Sequence, residues 1–66
     1  MSDGWVNRGG GTYVREFYGV IQRHAVNLMW EFYPWGHDST YRHGPFSSLK
    51  KAKECAEVEH ARKVKP

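Results

Sequence analysis

Between Thr12 and Arg23 the run TYVREFYGVIQR crowds β-branched and aromatic residues together without a helical period, which predicts a strand. A second run, AVNLMWEFY from Ala25 to Tyr33, alternates Val26, Leu28, Trp30 and Phe32 with Asn27, Met29, Glu31 and Tyr33. That period of two marks it as the clearest strand in the chain. The chain has to turn near Arg23 and His24, although no Asn-Gly or Asp-Gly pair marks the place. Pro34-Trp35-Gly36-His37-Asp38 then reads as a loop, because Pro34 ends a ladder and Gly36 permits positive φ. A shorter third strand is expected over Ser39 to His43. Gly44-Pro45-Phe46-Ser47-Ser48 breaks it and supplies a helix start, with Ser47 or Ser48 as cap and Phe46 as the apolar anchor before it. From about Ser48 to about Lys63 the spacing puts Leu49, Ala52, Cys55 and Ala56 on one arc, with Lys50, Lys53, Glu54 and Glu57 opposite.

These elements predict an α+β fold, a three-stranded antiparallel sheet with one C-terminal amphipathic helix packed on one face (β-β-β-α). Residues 1–11, ending in Gly9-Gly10-Gly11, read as a flexible lead-in to a single domain over 12–66, although Trp5 and Val6 also suit a short first strand or a folded-back arm. One helix covers one face of a sheet, so the other face must meet solvent or a partner. If the first hairpin loop has an even length, Ile21, Gly19 and Phe17 join Trp30 and Leu28 in the core. Val14, Tyr18, Val20, Met29 and Tyr33 are then left outside, with Glu16 beside Glu31, where the two carboxylates oppose DNA. An odd loop inverts the first strand and turns Arg15, Phe17, Ile21, Tyr33 and Arg23 outward. Either register exposes an aromatic face, which points to a partner.

Length sharpens this picture. A chain of 66 residues buries only about 60% of its unfolded surface, so it builds one small core and has little room for a substrate pocket. Multi-domain enzymes, full Rossmann units and eight-stranded barrels are excluded, and no enzymatic activity is expected. Ten Lys and Arg against seven Asp and Glu give a net charge of +3, which favours anionic partners without specifying one. Cys55 is the only cysteine, so neither an intrachain disulfide nor the usual cysteine zinc site can form. With no apolar leader or membrane-span window, a cytoplasmic, reducing setting is the expectation.

Four histidines, Asp38 and Cys55 are the candidates for metal or nucleophilic chemistry. His37, Asp38 and His43 match no standard ligand spacing, and Cys55 on the apolar arc reads as a small buried hydrophobe. No cofactor or metal is expected. Arginine interleaved with aromatic residues suits base stacking together with phosphate contact. The candidate binding residues are therefore Arg15, Arg23 and Arg42 for phosphate, Tyr33 and Tyr41 for stacking, and Trp35 as a loop anchor.

From Gly19 to Arg62, Trp30 is followed by the turn Pro34-Trp35-Gly36, then by Gly44-Pro45-Phe46-Ser47-Ser48-Leu49 and the helix Lys50-Lys51-Ala52-Lys53-Glu54-Cys55-Ala56-Glu57. This segment resembles the three-stranded-sheet-plus-helix DNA-binding domains of the plant AP2 type and of tyrosine-recombinase arm-binding domains. It is also similar to small bacteriophage accessory proteins, including anti-CRISPR inhibitors. The first resemblance implies DNA binding through the sheet. The second implies blockade of a host protein in the host cytoplasm. The expectation is a non-enzymatic binding module, nucleic-acid binding first, with a phage-type inhibitor or adaptor, monomeric or homodimeric, as the alternative.

Overall fold

The computed structural model describes residues 4–36 and 40–64, with side chains to Arg62. Five strands, β1 (Val6–Gly9), β2 (Thr12–Arg15), β3 (Gly19–Arg23), β4 (Trp30–Pro34) and β5 (His43–Phe46), precede one helix, α1 (Leu49–Val64). The strands form a single antiparallel meander in chain order. The fold is α+β with one C-terminal helix, as the pattern predicts, but the sheet has five strands and not three.

Local chemistry explains the difference. The run from Thr12 to Arg23 is two strands, because the chain reverses at Glu16–Tyr18: Tyr18 N donates to Arg15 O at 3.1 Å, and Arg15 pairs with Gly19. Phe17 occupies φ 70° there, a conformation that bulky residues rarely adopt and that propensity does not foresee. Residues 6–9, which composition assigns to the lead-in, form β1, because Gly10 and Gly11 make the turn at φ 62° and 81°. Met1, Ser2 and Asp3 lie outside the described residues.

The alternation over Ala25–Met29 belongs to a loop. His24 N donates to Met29 O and Leu28 N to His24 O, while the Asn27 side chain accepts from Met29 N. The strand begins only at Trp30. The third strand is shifted as well: β5 starts at His43, Ser39 lies outside the described residues, and Gly44-Pro45-Phe46 belongs to the ladder. A Cβ on Gly44 would stand 2.9 Å from Trp30 O, so a glycine that reads as a breaker is what lets β5 approach β4.

The β3–β4 loop is even, and Ile21 pairs with Phe32 and Arg23 with Trp30. Ile21 therefore faces the core, and Val14, Val20 and Tyr33 face the other side, as the even register has them. Its partners slide along the strand, however, Tyr18 packs on the core, and Phe17 and Leu28 are exposed in the turn and loop, where no ladder orients them. Ile21, Phe32, Ala52 and Ala56 are buried together with Trp5, and Tyr13, Trp30, Phe46, Leu49 and Cys55 pack around them. α1 lies across β3, β4 and β5. Ser48 caps it by accepting from Lys51 N at 3.2 Å, and the small Ala52 and Ala56 let it sit close. Beside it the Trp5 ring meets Tyr18 and Phe32 edge-on at 6.2 and 6.4 Å. Among the described residues no helix is long and apolar enough to cross a membrane.

Candidate functional site

The six residues singled out by sequence do not form one patch. Arg15 shares the helix-side row with Gly19 and Pro34. Its Nη1 donates to Glu57 Oε2 at 2.6 Å and its guanidinium lies 3.7 Å from the Tyr18 ring centroid. The other sandwiching group is His60, stacked on Tyr18 at 3.9 Å. Arg15 thus braces the sheet against the C-terminal half of α1. Trp35 joins it there, because its indole Nε1 donates to Arg15 O at 3.2 Å. The Phe17 ring of the adjoining turn is 72% exposed. Tyr41 is exposed and meets His43 edge-on at 5.4 Å.

Tyr33 and Arg42 meet on the face away from the helix, through Glu31. Tyr33 OH donates to Glu31 Oε1 and Arg42 Nε to Glu31 Oε2, both at 3.0 Å. Burial pushes the Tyr33 phenol above its usual value; the hydrogen bond to Glu31 and that carboxylate's charge add to the rise, and Arg42 opposes it. The same face carries the row Val6, Val14, Val20 and Tyr33, in register across four strands, beside the row Thr12, Gln22 and Glu31. A depression of about 320 Å³ lies at its edge, lined by Gly10, Gln22, Arg23, His24, Ala25, Glu31 and Tyr33. On this face an apolar row borders a polar one, and the Glu31 carboxylate is already engaged by Arg42.

The basic character gathers elsewhere. Register places Gly9 beside Thr12, Thr12 beside Gln22, Arg23 beside Trp30 and Trp30 beside Phe46, and α1 begins just after Phe46. The β1–β2 turn, Arg23, Trp30 and the start of the helix therefore share one end of the domain. There Tyr13 and Trp30 form a tilted pair at 5.9 Å. Arg23 lies 6.0 Å from the Trp30 centroid and Lys53 Nζ 5.4 Å from that of Tyr13. Lys50 and Lys51 stand in the first turn of α1, which holds no acidic residue, so their charges add to the positive end of the helix dipole. Among the described residues no carboxylate pairs with Arg8, Arg23, Lys50 or Lys51, whereas Arg15, Arg42 and Arg62 are each bound to a glutamate.

Of the predicted residues only Arg23 belongs to this basic end. Tyr13, Trp30 and Lys53 were not singled out by sequence, since each reads as an ordinary strand or helix position. A signal existed: Lys50, Lys51 and Lys53 come before Glu54, Glu57 and Glu59 along the helix. Among the described residues no group of three His, Cys, Asp or Glu side chains could hold a metal ion, and burial, reinforced by Glu59 and opposed by Arg62, pushes the Cys55 thiol up, away from a reactive thiolate. The chain matches no family model, no curated protein and no solved structure.

Proposed function

We propose that this protein is a non-enzymatic nucleic-acid-binding module that engages its ligand at the basic end. One observation carries the reading: Arg8, Arg23, Lys50 and Lys51, which pair with no carboxylate among the described residues, collect where an aromatic pair stays partly in solvent. Cations held in ion pairs exchange one partner for another when they bind phosphate, while unpaired cations release counterions and gain affinity. Fluorescence anisotropy with a labelled mixed-sequence oligonucleotide at 50 and 200 mM salt tests it. Binding that weakens steeply with salt is expected; no binding at the lower salt overturns the reading.

A second reading, docking of a protein or a second copy on the open sheet face, is favoured by one specific observation. Among the described residues no strand or helix packs over the row Val6, Val14, Val20 and Tyr33, and rows of this kind suit an apolar partner. Sedimentation at rising concentration separates the self-association case, and Val20→Lys abolishes either kind of docking while leaving the basic end intact.

A further inference from the structure

On the reading that the basic end binds nucleic acid, the geometry points to a single strand as the ligand, with bases stacked against Trp30 and Tyr13 and phosphates held by Arg23 and Lys53. Two observations separate this from duplex recognition. The first is shape. Five strands span about 19 Å across their four gaps, wider than the roughly 12 Å major groove that admits a helix or a two-stranded ribbon, and β3 and β4, which carry Arg23 and Trp30, are interior strands. α1 is no better as a probe. Its exposed surface follows Lys50 and Lys51 with Glu54 and, at mid-helix, Glu57, so a helix laid along a groove would set two carboxylates against the phosphates beyond its first turn.

The second is the composition of the cluster. Tyr13 and Trp30 are half-buried, so their rings are fixed by the core while part of each remains in solvent. A cation stands near each ring, Arg23 at 6.0 Å from one centroid and Lys53 at 5.4 Å from the other. Rings paired with cations at this spacing provide stacking platforms with phosphate contacts alongside, the combination that grips an unpaired strand. In a duplex the base faces are hidden by their neighbours, and the two rings would contribute nothing.

The test compares three labelled 12-nucleotide probes with the native chain at one low salt concentration: a single strand, the same strand annealed to its complement, and an abasic strand with the same phosphates. Stacking contributes about 1–3 kcal/mol per base, so the base-bearing single strand is expected to bind at least tenfold tighter than either of the others. A duplex or abasic strand that binds as tightly overturns the single-strand inference and leaves nucleic-acid binding standing. Failure of all three probes to bind overturns both.

Discussion

Replacing Trp5 by Ala tests whether the N-terminal segment is structural. The ring is only 8% exposed and lies edge-on to Tyr18 and Phe32, and it joins a buried core otherwise made of Ile21, Phe32, Ala52 and Ala56. Truncating a buried Trp to Ala costs about 3–5 kcal/mol. A 66-residue domain has on the order of 3–10 kcal/mol in total, so the loss runs from about a third of the stability at the upper end of that range to all of it at the lower end. At about 4–8 °C per kcal/mol the midpoint falls by roughly 12 °C or further, and at the lower end of the stability range the variant is unfolded at 25 °C. Urea and thermal melts followed by circular dichroism read this directly. Val6→Ala is the control, because Val6 is exposed in the same segment and surface changes stay within about 0.5 kcal/mol. A Trp5→Ala midpoint within 3 or so degrees of the parent (~1 kcal/mol or less) would refute the idea that this ring completes the core.

Gly19→Ala should unfold or severely destabilise the protein, since Gly19 sits at φ 150° and a Cβ there would run into the Tyr33 carbonyl oxygen and Pro34 Cα; a melt unchanged from the parent contradicts the β3–β4 register. Tyr33 is held neutral, its pKa raised in the fold by burial and by Glu31. The stability this confers is therefore full below the unfolded value of about 10 and is lost as pH rises through the raised folded value. Urea midpoints should be level from neutral pH to about 9 and decline above about 10, with a shallower decline in Tyr33→Phe; identical alkaline limbs would contradict it. The Cys55 thiol, pushed up chiefly by burial, should react with iodoacetamide at pH 8 at least about tenfold more slowly in the native protein than in urea, and equal rates would show that it is not packed against the core.

The helix was the most legible element. Its small-residue arc and its serine cap are local features, and Leu49, Ala52, Cys55 and Ala56 occupy the face the spacing assigns to them. The strands were legible as β structure but not in number, because two reversals carry little sequence signal. Phe17 at φ 70° turns the chain where neither Asn nor Gly stands at the apex, and the loop at 24–29 is closed by backbone and Asn27 hydrogen bonds within an alternating apolar run. The Gly9-Gly10-Gly11 run reads equally as a tether or a hairpin turn, and what decides between them is the buried ring of Trp5, a contact with Phe32 27 positions away. The same non-local pairing hid the basic end. Tyr13, Arg23, Trp30 and Lys53 come from three strands and the helix, and only the register brings them together. Arg15 and Arg42 look as available as Arg23 in sequence, yet Glu57 and Glu31 occupy them.

The most direct test of the basic end is the slope of log binding constant against log salt for single-stranded DNA. Each phosphate contact contributes about −0.7 to the slope. Arg23→Gln combined with Lys50→Gln should therefore make the slope less negative by about 1.4, while Arg62→Gln, at the far end of α1 and bound to Glu59, should leave it unchanged. Equal slopes in the parent and the double variant, or an equal change in Arg62→Gln, would contradict the assignment of nucleic-acid binding to this end of the domain.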